Sequence, residues 1–424
     1  MIGAEQTASI YIVPMREDGA DPTAVVVVAD DLTGAADTGA GLSLAGLRTI
    51  VTWPELAPEP LSNVDAVALD AGSRILEPGA AAAATEGAVV WAKRHGARML
   101  YKKCDSLLRG HIGIEVATSR RVWDAASIAI VAPAFPAADR TTLGGRQRAM
   151  GKDVGAPLEL LTAAGLTVVG VELHDVRGGR LHELLEGAAN GGAQAVILDA
   201  LTGDDLSEIA GAGLRLTRPV VWAGTGGLVR ALAARAFPAP AARAPGRPLR
   251  IEPHRRGPIL VVCGSASAVA REQVSRLKSA GLDGFDVDAA LLLDAEQAGA
   301  RRFADSAEHH LRQGRDLVVS LSTPAGTQDR RVAEALAAAL SPCGRIAGGL
   351  VATGGDTATA MLRSWGSTSL RLVGETEPGV AIAVASGAQA VVVATKAGAF
   401  GGPDALVLAA ARLREMVNES TGAG

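Results

Sequence analysis

The sequence predicts an α/β fold of two domains, each a mostly parallel sheet flanked by helices. The chain has 424 residues, which is more than one ordinary hydrophobic core accommodates. Along most of it, apolar runs of strand length alternate with longer helix-like segments, the pattern of βαβ units. A stretch rich in proline and arginine, between 236 and 258, interrupts this alternation. We therefore expect domains over 1–236 and 258–424, joined by a linker over 237–257.

Composition and charge narrow the classes of function. Hydrophobic residues make up 48% and charged residues 20%, which is typical of a globular protein and leaves little room for disorder. The net charge is −4 and there is no long basic run, so we expect no nucleic-acid partner. Neither an apolar span of transmembrane length nor the layout of a signal peptide occurs, so we expect no membrane partner. Three widely spaced cysteines argue against a disulfide framework or a zinc site, and we expect a cytoplasmic protein.

The first buried strand is predicted at the β-branched run 25–28. It leads into Asp30 and Asp31, and then into a small-residue segment, 35–47, that predicts a helix. Ligands of parallel sheets collect outside the carboxyl ends of the strands, which is where these two carboxylates are expected. One interpretation is that one aspartate caps the helix and the other is solvated. The other interpretation is a ligand-facing pair that binds hydroxyls, accepts a proton or holds a metal ion.

Short apolar runs predict the further strands of the first domain. They lie at 47–53, 66–70, 98–102, 127–132, 166–171, 195–199 and 219–223, with a helix over 78–95. The strand at 98–102 ends in the most polar cluster of the chain, KKCDSLLRGH at 102–111. Its lysines, aspartate, serine and arginine suit a small, hydroxylated, anionic molecule. A charged loop that neutralises itself in water is the alternative, but the position past a strand end, like that of Arg74, favours a ligand site.

The second domain repeats the arrangement of a strand followed by a polar loop. Strands are predicted at 258–263, 317–321, 350–353 and 390–394, each followed by glycine, serine or threonine residues. Backbone N–H groups in such loops and at helix N-termini bind phosphate without a formal charge. Gly354 and Gly355 would let a phosphate approach closely. Asp356 could hold magnesium, and Lys396 could meet the phosphate charge.

Six motifs of the chain resemble those of the four-carbon acid sugar kinases. They are ADDLTG at 29–34, KKCDSLLRG at 102–110, PAFP at 133–136, RTT at 140–142, GGDT at 354–357 and TKAGAFG at 395–401. The resemblance covers almost the whole chain, and the motifs come in the family's order. In that family an N-terminal sugar-acid domain and a C-terminal nucleotide domain phosphorylate tetronates (threonate, erythronate, 3-oxo-tetronate) with ATP. The resemblance therefore implies a sugar-acid kinase that uses ATP, with magnesium also expected.

The resemblance also implies the positions of the two sites. In the first domain, the sugar acid would be bound by Asp30, Asp31, Arg74, Lys103, Cys104 and Asp105. In the second domain, ATP would be bound by Ser265, Gly354, Gly355, Asp356, Thr357 and Gly398. The active site is then expected in the cleft between the domains. Asp31 or Asp105 is the candidate for the catalytic base that receives the proton of the acceptor hydroxyl.

Two other functions are compatible with the residues. A magnesium-dependent phosphohydrolase would use Asp30 and Asp31 as nucleophile and metal ligand, but it gives the glycine-rich loops no role. The second is a non-catalytic cytoplasmic protein that closes on a metabolite. A homodimer is also compatible with the sequence.

Overall fold

The computed structural model describes residues 23–56, 61, 63–237, 255–294, 298–322 and 330–419. Residues 1–22 of the predicted first domain and most of the predicted linker lie outside these residues. We call the described residues up to 237 the first half and those from 255 onward the second half. None of the helices in these described ranges is long and apolar enough to span a membrane.

The first half alternates strands and helices as predicted. Its strands are β1 (Val25–Ala29), β2 (Thr49–Thr52), β3 (Ala66–Asp70), β4 (Met99–Lys103), β5 (Ile128–Ala132), β6 (Arg140–Leu143), β7 (Arg146–Ala149), β8 (Lys152–Gly155), β9 (Val168–Val171), β10 (Ala195–Leu198) and β11 (Val220–Gly224). Its helices are α1 (Leu32–Leu44), α2 (Pro78–Arg94), α3 (Ile112–Trp123), α4 (Pro157–Ala163), α5 (Leu173–Val176), α6 (Leu181–Asn190), α7 (Gly203–Gly213) and α8 (Gly226–Ala236).

The second half contains the remaining elements. Its strands are β12 (Ile259–Cys263), β13 (Asp283–Asp288), β14 (Leu317–Ser322), β15 (Gly349–Thr353), β16 (Ser367–Glu377), β17 (Val380–Gly387) and β18 (Val392–Lys396). Its helices are α9 (Ala268–Ser279), α10 (Ala289–Leu293), α11 (Ala298–Arg312), α12 (Arg330–Ala339), α13 (Gly355–Ser364) and α14 (Ala405–Glu419). The sequence did not predict β13, β16 or β17, of which β13 and β16 mix polar and apolar residues.

One continuous sheet of fifteen strands runs through the described residues of both halves. Its order is β13-β14-β12-β15-β18-β17-β16-β2-β3-β1-β4-β11-β5-β10-β9. In this sheet order, the eight strands β2-β3-β1-β4-β11-β5-β10-β9 of the first half pair in parallel, and so do the five strands β13-β14-β12-β15-β18 of the second half. This confirms the parallel sheets predicted for the two halves. The hairpin of β16 and β17 is antiparallel, and β16 pairs antiparallel with β2, where Leu370 lies opposite Val51. This pairing, which the sequence did not predict, joins the two sheets.

Helix α1 lies where the halves meet. It contacts β3 and α8 of the first half and β16 and α13 of the second. Its small residues permit this close packing, because a Cβ on Gly39 would lie 3.3 Å from Thr49 Cγ2 and one on Gly41 would lie 3.0 Å from Arg230 Cγ. The helix begins at Leu32, earlier than predicted, since the residue before it acts as its cap.

A separate antiparallel sheet of β6, β7 and β8 was not predicted. Gln147 anchors it: the side-chain amide donates to the carbonyl oxygens of Ser106 at 3.1 Å and Pro133 at 3.0 Å. The turn between β6 and β7 is held by Asp199, which accepts from the N–H groups of Gly144 and Gly145. The small sheet is thereby attached to the loop that follows β4.

Candidate active site

A cavity of about 1040 Å³ lies where strand ends from both halves converge. The first half contributes residues after β1 and β3, and the second half contributes residues after β12, β15 and β18. Parallel sheets place their ligands at this position, outside the carboxyl ends of the strands. Its lining includes most of the predicted site residues, namely Asp30, Asp31, Arg74, Ser265, Gly354, Gly355, Asp356, Thr357 and Gly398.

The guanidinium of Arg74 is the centre of the charged wall. Its Nε and Nη2 atoms donate to the two carboxylate oxygens of Asp30 at 2.7 and 2.9 Å. Nη1 donates to Asp31 Oδ2 at 2.5 Å, and Nη2 lies 3.5 Å from Asp105 Oδ1. Burial lowers the pKa of Arg74, but the three carboxylates raise it well above its ordinary value. Arg74 therefore stays charged and joins the loops after β1 and β4.

Asp30 and Asp31 have different environments. Asp31 caps α1, because its Oδ1 accepts from the N–H of Gly34 at 2.7 Å. Asp30 is only 2% exposed, and although burial raises its pKa, the charges of Arg74 and Lys102 hold that pKa below its ordinary value. The predicted helix cap is therefore observed at Asp31, whereas the predicted solvated aspartate is not observed, because Asp30 is buried. Both aspartates line the cavity, as the second interpretation requires.

The carboxylate of Asp105 is saturated with hydrogen bonds. Its Oδ2 accepts from the N–H groups of Leu107 and Arg109, both at 3.1 Å. The guanidinium of Arg109 adds two more, from Nε to Oδ2 at 2.9 Å and from Nη2 to Oδ1 at 2.8 Å. Burial raises the pKa of Asp105, but these bonds and the charges of Arg74 and Arg109 hold it well below its ordinary value. Such a carboxylate is a weak base.

A second, small cavity of about 20 Å³ adjoins the first. Asp31, Thr33, Arg74 and Ala397 line both cavities. The remaining lining residues of the small cavity are Gly34, Asp37, Lys103, Asp105, Ser106, Gly379 and Phe400. Its volume holds about one water molecule. The buried Ser106 Oγ has no hydrogen-bond partner among the described residues.

The polar cluster that follows β4 divides between the cavity and the core. Lys103 lines the small cavity, and its Nζ donates to Cys104 O at 2.7 Å. Cys104 lines neither cavity: it is 1% exposed in an apolar cluster, and burial raises the pKa of its thiol to about 12. Lys102 is also buried, and it pairs with Glu115 at 3.0 Å. Five of the six predicted sugar-acid residues thus come together, while Cys104 lies in the core because neighbouring side chains of an extended chain point to opposite faces.

Asp70, the last residue of β3, is a cavity residue that the sequence analysis did not single out. Its carboxylate accepts from Trp53 Nε1 at 3.0 Å and from the N–H of Gly72 at 2.9 Å. Thr359 of α13 reaches it from the second half, with its Oγ1 3.5 Å from Asp70 Oδ2. Burial and the charge of Asp31 raise the pKa of Asp70 to about 7. Its position at a strand end was the signal that could have identified it.

Glycines shape the wall from the second half. Gly354, at φ 102°, adopts a backbone conformation that favours glycine and directly precedes α13. A Cβ on Gly355 would lie 2.5 Å from Asp31 Oδ2, and one on Gly398 would lie 2.1 Å from Ser265 Oγ. The backbone therefore comes closer to these groups than a side chain would allow. In the described chain no side chain caps α13, so the N–H groups of its first turn fit the phosphate oxygens of a nucleotide.

Lys396 lies behind the loop rather than in either cavity wall, contrary to the prediction that it meets a phosphate. Its Nζ donates to the carbonyl oxygens of Ala397, Gly398 and Phe400 at 3.0, 3.3 and 2.9 Å. Burial lowers the pKa of Lys396 to about 8. The lysine thus shapes the loop that follows β18.

The described residues contain no group of three or more His, Cys, Asp or Glu side chains that could hold a metal ion. Asp356 lines the large cavity from the first turn of α13. Burial and the neighbouring charge of Asp31 raise the pKa of Asp356 above its ordinary value. Magnesium commonly uses one or two carboxylates and completes its coordination with water and substrate phosphates, and Asp356 can supply one such carboxylate.

Comparison with known protein families divides the chain as the cavity walls do. Residues 25–232 match the family described as the sugar-binding N-terminal domain. Residues 260–406 match the family described as the nucleotide-binding C-terminal domain. The chain belongs to the four-carbon acid sugar kinase family. This membership confirms the family resemblance of the sequence motifs.

Relatives within the kinase family extend over nearly the whole chain. The chain is 39% identical over 412 residues to the D-threonate kinase of Cupriavidus necator, which covers 90% of this chain and 96% of that protein. It is 32% identical over 411 residues to the D-threonate kinase of Bordetella bronchiseptica, with 92% and 97% covered. A solved structure from Salmonella typhimurium shares the fold, with a TM-score of 0.75 at 21% identity and with 91% of this chain and 98% of that chain covered. The predicted two-domain α/β architecture is thereby confirmed.

Proposed function

We propose that this protein transfers the γ-phosphoryl group of ATP to a hydroxyl of a four-carbon sugar acid, with D-threonate as the preferred acceptor. One observation carries the proposal: a wall of fixed charges from the sugar-binding half and a wall of glycines from the nucleotide-binding half line the same cavity. The choice of acid is supported by two D-threonate kinases that are 39% and 32% identical to this chain. The active site is then the cavity between the halves.

The charged wall supports the binding of a hydroxylated anion. Arg74 and Lys103 supply positive charge that attracts the carboxylate of the acid. Asp30 and Asp31 supply acceptors for its hydroxyl groups. Because Arg74 is already held by hydrogen bonds to both aspartates, the charges are in place before the acid arrives.

The glycine wall supports the binding of the nucleotide phosphates. We assign the phosphate contacts to the N–H groups around Gly354, Gly355 and Gly398, and polar contacts to Ser265 and Thr357. ATP supplies the phosphoryl group, and the protein contributes position and charge, which is the main catalytic requirement of phosphoryl transfer.

Asp31 is the better candidate for the base that receives the hydroxyl proton. It lines both cavities and lies against Gly355 of the second half. Asp105, the other candidate, lines only the small cavity, and its carboxylate accepts four hydrogen bonds from Leu107 and Arg109. The carboxylate of Asp31 accepts three, from Gly34, Thr33 and Arg74. We therefore assign the proton to Asp31 and assign Asp105 the role of fixing the cations.

Three further parts of the proposal rest on the sequence predictions. A magnesium ion would be held by Asp356 together with the nucleotide phosphates. The cytoplasmic location and the homodimer stay predictions.

A substrate panel tests the proposal. The purified protein is given ATP, magnesium and one acid at a time: D-threonate, L-threonate, the two erythronates, 3-oxo-tetronate and five-carbon acids. The kcat/KM for ADP release should be highest with D-threonate. Asp31→Asn should lower kcat by about two to four orders of magnitude, the range of a general base. Background ADP release with every acid, from protein whose thermal unfolding is cooperative, would refute the kinase.

The same preparation separates the alternatives. A phosphohydrolase would release inorganic phosphate from a phosphate ester without any acceptor. A binding protein would bind an acid in calorimetry and turn over none of the panel.

A further inference from the structure

One loop of the second half belongs to the walls of both cavities. We call residues 397–402, between β18 and α14, the shared loop. Ala397, Gly398 and Ala399 line the large cavity. Ala397 also lines the small cavity, and so does the ring of Phe400. A molecule in either cavity therefore contacts the same short stretch of backbone.

The shared loop is tied into one unit. The Nζ of Lys396 donates to three of its carbonyl oxygens, as described above. The side-chain amide of Gln273 donates to the carbonyl oxygens of Phe400, Gly401 and Gly402 at 3.2, 3.3 and 2.7 Å. Glu377 accepts from the N–H of Gly402 at 3.1 Å. Because the three side chains that hold it all belong to the second half, the shared loop is one hydrogen-bonded unit attached to that half.

The ring of Phe400 reaches across to the first half. The guanidinium of Arg140 lies 4.8 Å above its centroid, and Arg140 Nη2 donates to Ala399 O at 3.3 Å. The ring of Phe135 lies 6.2 Å away. Behind the ring, Gly379 provides the space: at φ 88°, a Cβ there would lie 2.4 Å from the Phe400 ring. Phe400 is thus a side chain of the nucleotide-binding half that closes a cavity of the sugar-binding half.

We propose that Phe400 is a positioning residue that couples nucleotide occupancy to binding of the sugar acid. The proposal rests on the proposed function of the two cavities. Lys103, which we propose attracts the carboxylate of the acid, lines only the small cavity. That cavity holds about one water molecule, so the carboxylate reaches Lys103 only when a wall moves. The walls from the first half are fixed by ion pairs around Arg74 and Asp105, and the wall from the second half consists of the shared loop and Gly379. The acid therefore selects a position of the shared loop.

Nucleotide binding selects the position of the same loop through Gly398. Two ligands that favour one position of a shared element bind with positive coupling, and the coupling is reciprocal. The acid should therefore bind more tightly to the protein that holds nucleotide, and nucleotide should bind more tightly to the protein that holds acid. Phe400 is the part of the loop that carries the effect to the acid.

Calorimetry on the full chain tests the coupling. D-threonate is titrated with and without a saturating β,γ-imido analogue of ATP and magnesium. In the wild-type protein the analogue should lower the Kd for D-threonate by at least about fivefold, the lower end of common coupling factors. In Phe400→Ala this factor should fall to near one, while the Kd for the analogue alone stays within about twofold, because the ring lines only the small cavity.

Phe285→Ala is the matched control. This phenylalanine of β13 packs on His310, 5.7 Å away between ring centroids, and lines neither cavity, so the coupling factor should stay at the wild-type value. Phe400→Leu keeps an apolar side chain against Gly379 and should show reduced but measurable coupling. If Phe400→Ala does not unfold cooperatively, the coupling is tested with Phe400→Leu instead.

Two results would overturn the inference: a wild-type coupling factor near one, or wild-type coupling retained in the Phe400 variants. Turnover of D-threonate is measured first on the wild-type protein. Absent turnover would refute the proposed function itself, whereas normal turnover with unchanged coupling in the variants would refute only the role of Phe400.

Discussion

The two halves of the molecule line one cavity with different chemistry. The first half uses side-chain charges: Arg74 contacts three carboxylates, and one of these, Asp105, is held by Arg109. The second half uses its backbone: Gly354 adopts a φ of 102° that favours glycine, and a Cβ on Gly355 would lie 2.5 Å from Asp31 Oδ2. A charged wall recognises an anion by pairing with it. A glycine wall recognises an anion by giving it access to N–H groups.

Because of this difference, substitutions in the two walls should have different effects on stability and on activity. Removing one charge from the first wall leaves its buried partners unpaired, which weakens both the fold and the site. Adding one carbon atom to the second wall blocks a close approach and leaves every charge in place. Measurements of stability and of kinetics on the same variants therefore separate the walls.

Among the substitutions that compare the two walls, Arg74→Met should have the largest effect. Truncating one member of a buried, hydrogen-bonded charge group costs about 2–5 kcal/mol in binding, so kcat/KM should fall about 30- to 4000-fold. The unpaired carboxylates should also lower the free energy of unfolding by about 3 kcal/mol. The control is Arg121→Ala, which breaks an exposed pair with Glu86 and should change stability by less than about 0.5 kcal/mol. Steady-state kinetics and urea unfolding measure both quantities, and an Arg74 variant as stable as the control would contradict the ionic account of this wall.

Gly355→Ala should affect kinetics more than stability. The new Cβ would meet Asp31 Oδ2 at 2.5 Å and move the two walls apart. A displacement of about 1 Å at a reacting centre lowers rates by about a hundredfold, so kcat/KM should fall about 10- to 100-fold. Gly187→Ala in α6, whose Cβ would meet nothing within 4 Å, should keep wild-type kinetics and gain about 0.5–1 kcal/mol of stability. Equal kinetics in the two variants would show that the close approach at Gly355 is not required.

Asp70→Asn should have the smallest effect, and the effect should depend on pH. The pKa of Asp70 is raised from 3.8 to about 7, so the folded protein binds this proton more tightly than the unfolded chain does. The stability that protonation contributes is complete below about pH 4 and is lost as the pH rises to about 7. Asparagine keeps an acceptor for Trp53 and avoids the buried charge. The variant should match the wild type at pH 4 and exceed its free energy of unfolding by about 1–3 kcal/mol at pH 8. Unfolding curves across this range measure the difference, and a difference independent of pH would contradict the raised pKa.

Much of the fold and many site residues could be predicted from the sequence. The run 25–28 predicted β1, and Asp30 and Asp31 line the cavity at its end. The motif GGDT at 354–357 likewise lies at the end of β15 and opens α13. These predictions succeed because strand runs, caps and glycine turns depend on neighbouring residues, and because the carboxyl ends of parallel strands meet at one edge of a sheet.

Other features were decided only by the tertiary structure. The pairing of β16 with β2 joins the sheets of the two halves, although more than three hundred residues separate Leu370 from Val51. Cys104 and Lys396 belong to motifs of the family, but one lies in the core and the other behind the shared loop. The small cavity is closed by Phe400, which is distant in sequence from Lys103 on the opposite wall. Local patterns predict where a strand ends, but burial, pKa and the closing of a cavity depend on contacts between distant segments, which no local pattern contains.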